Sequence, residues 1–389
     1  ETGSYFNANH EVRTIDDGPG IDSRKEIGLA VKDWISSKFD SSVKKRRVYI
    51  VAAEGGGSRA AYWTVGVLNF LSDSIPDFNE NLLAVSSVSG GTVGAGIFLA
   101  GRSIDLQSGK AIDPDKIQIA AGGDFLSPLL AGFFFTDLVQ RFLPIPMKIW
   151  DRSRRLESSI SKSLEGLAEE NGALKNPLGR PTMERHEKEP FHFINSTVVE
   201  TGGKGIWSPL KLDTTFFPGV LDLPKLLGYD VRRSTSLVNS ARFPLVTPGG
   251  ELKKDGKTIA HLVDGGYFEN TGIETAFSVL RVLQEAGDST IQPVFIYIQN
   301  SKDITEIDPA RSSLTAANPI LVFYNAWSSR SPNNEALVDN LEELMDFEYF
   351  HIPLRHELGG EPYPYPLAWV LSKRSKAGMK MQIDTLGDR

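Results

Sequence analysis

The chain has 389 residues, 40% of them hydrophobic and 23% charged, which is close to average globular usage and excludes disorder over most of its length. Its 42 basic and 49 acidic residues give a formal net charge of −7, so we expect no nucleic-acid partner. The sequence contains no cysteine, which excludes disulfides, Cys-ligated zinc and a thiol nucleophile.

The chain begins at Glu1 rather than at a methionine, which we interpret as the processed or excised start of a longer protein. Residues 1–21 are polar and are predicted to form a linker or arm, and residues 22–389 a single domain. A helix with apolar residues at helical spacing from Ile27 to Ile35 opens that domain. The most apolar stretch, 125–150, contains charged residues and three prolines. We therefore expect no membrane-spanning helix, and a location in the cytoplasm or at a membrane surface.

Two strand–turn–helix units then follow one another. Residues 48–54 (VYIVAAE) form a short β-branched run, typical of a strand buried on both faces, and the run stops at Gly55-Gly56-Gly57. Residues 82–88 (LLAVSSV) form a second apolar strand, which stops at Ser89-Gly90-Gly91. An apolar segment of helical length follows each glycine turn. Two such units in succession predict a parallel sheet with helical crossovers.

The pattern changes over residues 101–190, which we interpret as a helical insertion because strand-like sequence resumes at Phe191. Further strands are predicted at 258–266 and 292–300, with a helix between them, and the C-terminal third is predicted to be helical and loop-like. The sheet therefore has at least five strands. We predict an α/β fold, a mainly parallel sheet flanked by helices on both faces.

Ser89 lies at the end of an apolar strand and the start of an apolar helix, the context of a nucleophile elbow. A sharp turn there lifts the hydroxyl above the sheet edge, and Gly90 and Gly91 remove side chains that would clash. Ser87 stands where the pattern usually has its first glycine. The motif also fits a simple helix start in which Ser89 is only a cap.

The three glycines 55–57 end the preceding strand, so in a parallel sheet they face the same edge as Ser89. Their N–H groups can form an oxyanion hole at a helix N-terminus. The same residues, with Ala60, also match a degenerate dinucleotide-binding fingerprint. That alternative would place Glu54 beside a pyrophosphate, and the second strand lacks an acidic residue for the ribose. We expect no cofactor.

Asp264 ends the strand AHLV and precedes two glycines, so we expect its carboxylate at the same sheet edge. Within reach of Ser89, it would act as the general base. The alternative is an ordinary turn aspartate with a local hydrogen bond. A conventional triad would instead use His351 or His356, which follow in the chain order expected of an α/β-hydrolase but lie in a polar segment predicted to be a loop.

Three short motifs occur in one order, each at the end of a predicted strand: GGGSRA at 55–60, SVSGG at 87–91 and DGG at 264–266. Together they resemble the patatin-like phospholipase family, with similarity from about residue 48 to residue 272. The long insertion resembles that of the larger bacterial members.

Two further segments, 195–202 and 234–248, are also similar to patatin segments. The sequence departs from the family pattern at Glu54, where Asp is common, at Ala60, where the last glycine would stand, and at Ser87. None of these departures removes a reacting group.

The resemblance implies a lipid acyl hydrolase of phospholipase A or lysophospholipase type, using a Ser89–Asp264 dyad without histidine or metal. Ser89 would attack the ester carbonyl and form an acyl-enzyme, Asp264 would take and return the proton, and glycines 55–57 would hold the oxyanion. Arg59 would support that loop or meet a lipid head group. A Ser-His-Asp esterase and a non-catalytic lipid-binding member of the family remain alternatives.

The substrate expected from this resemblance is a phospholipid or another lipid ester, reached through peripheral membrane contact. Apolar residues of the insertion would contact the acyl chain or the membrane surface, or would form core beneath the insertion: Phe125, Leu129, Leu130, Phe133 and Phe134.

Overall fold

The computed structural model describes residues 10–15, 20–38, 45–140, 150–173, 177–243, 247–287, 290–302 and 346–388. The strands are β1 Thr14–Ile15, β2 Arg46–Ala53, β3 Leu82–Val88, β4 Phe191–Val198, β5 Lys204–Trp207, β6 Leu221–Asp222, β7 Asp230–Val231, β8 Gly250–Lys254, β9 Lys257–Asp264, β10 Ile291–Gln299, β11 Glu348–Pro353, β12 Glu357–Leu358 and β13 Glu361–Pro362. The α-helices are α1 Ile27–Lys38, α2 Gly57–Ser74, α3 Phe78–Asn81, α4 Ser89–Ser108, α5 Pro114–Ala121, α6 Leu126–Ala131, α7 Leu138–Gln140, α8 Arg152–Asn171, α9 Leu223–Leu227, α10 Arg233–Ser240, α11 Ile273–Ala286 and α12 Lys373–Asp384.

One large sheet organises the chain. Its strand order is β11-β10-β2-β3-β4-β5-β6, and β9 pairs with both β4 and β8. Strands β11, β10, β2, β3 and β4 run parallel. Strands β5 and β9 pair with β4 in the antiparallel sense. The glycine turns after β2 and β3 therefore lie side by side at one sheet edge.

The central strands are buried on both faces, as their continuous apolar sequences predict. Along β2, Tyr49 and Val51 pack into one hydrophobic cluster, and Val48, Ile50 and Ala52 pack into another. Helices α2 and α4 contribute to the first cluster, and α1 and α11 to the second. The predicted fold class, a mainly parallel sheet with helices on both faces, is confirmed.

Much of the predicted insertion packs as helices against α2 and α4. Helix α4 continues to Ser108, so residues 101–108 belong to the crossover helix and not to an inserted segment. Helix α8 contributes Leu156 and Ile160 to the same cluster as Val51. The insertion thickens one helical layer over the sheet.

Helix α1 begins at Ile27, as its apolar spacing predicts, and a short 3-10 turn at Ile21–Ser23 precedes it. Two local expectations differ from the structure. The C-terminal third contributes strand β11, which pairs with β10 at the sheet edge. Within the predicted arm, strand β1 pairs with β7, and His10 and Val12 are buried against the domain.

One stretch within the described residues, Pro114–Phe135, has the length and apolar composition of a membrane-spanning helix, which the sequence alone did not lead us to expect. Of its most apolar window, 44% is buried inside the protein, and the helix is interrupted between α5 and α6. Buried core helices meet the same criteria, so this signal is weak.

Candidate active site

The ends of two strands meet beside β4. Strand β3 pairs with β4 up to Val88, which lies opposite Asn195, and then turns into α4 at Ser89. Strand β9 pairs with the next part of β4 and ends at Asp264, which lies opposite Ser196. Because β5 covers the other side of β4 at these positions, β9 lies on the same side as β3. Ser89 and Asp264 therefore face each other where the two strands end.

Ser89 adopts a strained backbone conformation, which a nucleophile elbow would require. Its φ angle is +51°, a left-handed value that is costly for a residue with a side chain. Its N–H donates to the Ser240 hydroxyl at 3.0 Å, and Ser240 Oγ in turn donates to the Asn195 carbonyl. Ser87 stands where the pattern usually has its first glycine, yet the turn remains strained. Ser87 lies within strand β3, and its hydroxyl forms a hydrogen bond with the His192 ring at 2.7 Å. Ser240 of α10 and Asn195 of β4 hold the turn in this conformation.

Asp264 forms the hydrogen bond that a serine–aspartate pair requires. The Ser89 hydroxyl donates to Asp264 Oδ2 at 2.6 Å, and the Gly266 N–H donates to Asp264 Oδ1 at 2.9 Å. The Asp264 carboxylate is fully buried, whereas Ser89 is 5% exposed to solvent. Burial raises the pKa of Asp264 from 3.8 to about 7, and the two hydrogen bonds oppose that rise. The carboxyl group can therefore exchange a proton near neutral pH.

The glycine loop lies directly against the start of α4. A β-carbon on Gly90 would overlap the Gly57 carbonyl oxygen and lie 2.5 Å from the Gly57 nitrogen, so only glycine allows this approach. Gly57 has a φ of +58°, a value that glycine adopts without strain. The Gly55 N–H is already donated to the Asn270 carbonyl at 2.8 Å, so Gly55 is not an available oxyanion donor. Among the described residues, the Gly56 and Gly57 N–H groups have no hydrogen-bond partner.

A buried polar network beside the glycine loop fixes the position of that loop. The carboxylate of Glu54 accepts the N–H groups of Asn300 and Ser301 at 2.7 and 2.8 Å and the Ser301 hydroxyl at 2.7 Å. Burial raises the pKa of Glu54, and these donors oppose the rise. Arg59 donates to Asn300 Oδ1 and to the Tyr365 carbonyl, both at 2.8 Å. Because Arg59 is 8% exposed, its position favours the loop-supporting role over contact with a head group.

Neither candidate histidine hydrogen-bonds the serine or the aspartate. His351 lies in β11, not in a loop, and its Nε2 pairs with Gln299 Oε1 at 2.7 Å. Strands β10 and β2 separate β11 from β3, a spacing of roughly 14 Å at about 4.8 Å per strand. His356 Nε2 lies 2.9 Å from the Asn300 carbonyl oxygen. The geometry favours the dyad over the triad.

The apolar residues assigned to acyl-chain or membrane contact divide into two groups. Phe125 and Leu129 are 1% and 2% exposed and belong to the core, so as placed they do not reach a membrane surface. Leu130, Phe133 and Phe134 are 44%, 40% and 58% exposed. The exposed group lies on α6 and on the π-helical turn Gly132–Asp137 that follows it.

Several residues at this site were not predicted. Ser240 holds the Ser89 backbone, and Asn270 and Asn300 hold the glycine loop. Gly90 contributes a further N–H group at the start of α4. Its position directly after Ser89 is the sequence feature that could have indicated this donor. Asn300 follows strand β10 immediately, and this position at a strand end is the sequence feature that could have indicated a residue of the site.

Comparisons with known proteins give a distant likeness to solved structures. No protein-family model and no curated protein matches this chain. Two solved structures of human GIVD cytosolic phospholipase A2 in complex with methyl gamma-linolenyl fluorophosphonate, one also with terbium chloride, are similar over 76% of this chain. They are 15% and 16% identical, with TM-scores of 0.32 and 0.33, and the match spans 45% and 44% of those chains. Because this similarity is so low, the assignment of the fold and of the chemistry depends on the geometry of this chain itself.

Proposed function

We propose that this chain is a lipid acyl hydrolase of phospholipase A or lysophospholipase type that uses a Ser89–Asp264 dyad. The observation that carries the proposal is the 2.6 Å hydrogen bond from the Ser89 hydroxyl to the buried Asp264 carboxylate, made by a serine in a strained turn. A nucleophile paired with a base in this way is the general signature of covalent acyl transfer. The family resemblance of the three motifs supports a lipid ester as substrate.

In the first half-reaction, Ser89 Oγ attacks the ester carbonyl carbon and its proton passes to Asp264 Oδ2. The negative charge that develops on the carbonyl oxygen is stabilised by the N–H groups of Gly56 and Gly57, with Gly90 beside them. The tetrahedral intermediate then collapses, and the leaving alcohol takes the proton from Asp264. The acyl group remains on Ser89.

In the second half-reaction, water takes the place of the alcohol. Water attacks the acyl carbonyl, gives a proton to Asp264, and the fatty acid leaves as Asp264 returns that proton to Ser89. A carboxyl group with a pKa of about 7 suits both transfers, since it accepts and releases a proton near neutral pH.

We also propose that the exposed part of the insertion meets the lipid surface. Phe134 and the neighbouring Phe135 are 58% and 72% exposed, which is unfavourable in water and favourable at a bilayer interface. The Arg152 guanidinium lies 5.1 Å from the Phe133 ring centroid, and Gly132 packs against Arg152 and Arg155. Cationic groups beside exposed aromatic rings suit an anionic membrane surface.

The test of the dyad is Ser89→Ala assayed on a soluble short-chain ester. We expect loss of hydrolysis with a nearly unchanged melting temperature, because the change removes a reacting atom and little core volume. Ser163→Ala is a matched control, since it removes a hydroxyl that donates to the Ile160 carbonyl on helix α8. Residual turnover of Ser89→Ala within tenfold of the wild type would show that Ser89 is not the nucleophile. Lipid binding with no ester hydrolysis by the wild type would favour the non-catalytic alternative.

A further inference from the structure

A buried amide oxygen beside Ser89 has no hydrogen-bond partner among the residues that the structure describes. Asn270 lies six residues after Asp264, and within the described part of the chain its Oδ1 atom is buried and unpaired. Such atoms are rare in folded proteins, because a buried acceptor without a donor loses its hydration without compensation. This orphaned acceptor therefore needs a reason for its position.

The position of this oxygen is set by Gly55. A β-carbon on Gly55 would overlap Asn270 Oδ1 and would lie 3.0 Å from the β-carbon of Ser89. The amide oxygen and the Ser89 side chain therefore both lie close against Gly55. The Asn270 backbone carbonyl accepts the Gly55 N–H at 2.8 Å, which fixes the residue against the loop.

The orientation of the amide follows from its other neighbours. Asn270 Nδ2 lies 3.4 Å from the Gly55 carbonyl oxygen and 3.5 Å from Glu54 Oε1. Exchanging the amide nitrogen and oxygen would set an oxygen against these two acceptors, which is electrostatically unfavourable. The oxygen is thus the atom directed toward Ser89.

We propose that Asn270 Oδ1 positions the water that releases the acyl group, an inference that rests on the proposed hydrolase function. Water carries two hydrogens, of which Asp264 accepts one. Asn270 accepts the other, so that a lone pair of the water oxygen is directed at the acyl carbon. The new carbon–oxygen bond forms as one proton moves to Asp264. The bond to Ser89 Oγ then breaks, and that proton passes to the serine.

The first half-reaction does not need this acceptor. The attacking atom is Ser89 Oγ, which is covalently fixed and already hydrogen-bonded to Asp264. An alcohol carries a single hydroxyl hydrogen, which Asp264 alone can accept or return. Removal of the Asn270 oxygen should therefore slow attack by water more than attack by an alcohol.

The experiment follows how the acyl-enzyme divides between water and methanol. A p-nitrophenyl ester is hydrolysed in buffer containing methanol, and the free acid and methyl ester are both quantified. Asn270→Leu keeps the side-chain branching and removes the acceptor. We expect the methyl ester to acid ratio to rise about tenfold, the effect of losing one well-placed hydrogen bond, while the initial burst of p-nitrophenol remains. Because the ratio counts only molecules that turn over, a partly unfolded preparation still reports it.

Two further variants separate this role from a structural one. Asn270→Asp keeps an oxygen acceptor at the same position. Its methyl ester to acid ratio should stay near the wild-type value, even if repulsion between the new carboxylate and Glu54 makes the variant less stable. Asn69→Leu changes a buried asparagine on α2 that donates to the Pro114 carbonyl, and its ratio should not change. An unchanged ratio in Asn270→Leu would overturn the inference. A wild type that forms neither burst nor methyl ester would instead overturn the proposed acyl-enzyme itself.

Discussion

Replacing Asp264 with asparagine should stabilise the protein at alkaline pH while it removes the proposed general base. In the unfolded chain the Asp264 carboxyl ionises near its ordinary pKa of 3.8, whereas in the folded protein burial raises that pKa to about 7. Between these values the folded protein binds more protons than the unfolded chain, so the free energy of unfolding falls as the pH rises. At about 1.4 kcal/mol per pKa unit, the full cost above pH 7 is about 4 kcal/mol.

An asparagine side chain cannot ionise, so Asp264→Asn avoids this cost and still offers an oxygen to the Gly266 N–H and an amide to Ser89. Denaturant unfolding measures the free energy of unfolding. We expect this free energy to be higher in the variant than in the wild type by up to about 4 kcal/mol at pH 8 and by about 1 kcal/mol at pH 4.5. Asp33→Asn, an exposed change, should shift stability by less than about 0.5 kcal/mol at either pH. An Asp264→Asn variant no more stable than the wild type at pH 8, or equally stabilised at both pH values, would refute the reasoning.

Four further expectations concern activity. The kcat/KM on a soluble ester should rise with pH and level off above about 7, as the Asp264 base ionises, and a flat profile from pH 5 to 9 would contradict this. Asp264→Asn should lower kcat by about 10²–10⁴-fold, whereas His351→Ala and His356→Ala should each lower kcat by less than about tenfold. A histidine change that lowers kcat as much as Asp264→Asn would favour the triad over the dyad. EDTA should leave the rate unchanged, because in the proposed mechanism backbone N–H groups and not a metal hold the oxyanion, and a loss restored by calcium or zinc would contradict that mechanism. Replacing Phe133 and Phe134 with Ser should lower activity on anionic vesicles severalfold and spare a soluble ester, and equal loss on both substrates with a lower melting temperature would place these rings in the core.

The parallel centre of the fold was predictable because its signals are local. Residues 48–54 and 82–88 are continuous apolar runs that end in glycines, a pattern that indicates doubly buried strands and the turns after them. Those turns fix where Ser89 and the glycine loop lie. The candidate nucleophile could therefore be named before the sheet was seen.

The strand that ends at Asp264 shows where local reasoning fails. The sequence predicts Asp264 at the end of a strand in a mainly parallel sheet, at the same edge as Ser89, but β9 runs antiparallel to β4 and reaches that edge from the opposite direction. Strand direction depends on long-range pairing, which a single strand's sequence does not encode. The predicted location is nevertheless the observed one.

The contacts that the supporting polar residues make could not be predicted for a related reason, even where a strand end marks the residue itself. Asn300 lies 246 residues after Glu54, yet the Asn300 N–H donates to the Glu54 carboxylate. Ser240 lies 151 residues after Ser89, whose N–H it accepts. Nothing in the local sequence of Asn270 or Ser240 distinguishes either from an ordinary polar residue. Such contacts become visible only when the sheet brings the strand ends together.

The most direct test of the dyad is covalent labelling of the wild-type protein with a fluorophosphonate, followed by mapping of the modified residue by mass spectrometry. The proposed mechanism predicts a single adduct on Ser89, with hydrolysis of a soluble ester lost in proportion to labelling. An adduct on another residue that abolishes hydrolysis, or full hydrolysis after complete modification of Ser89, would contradict it.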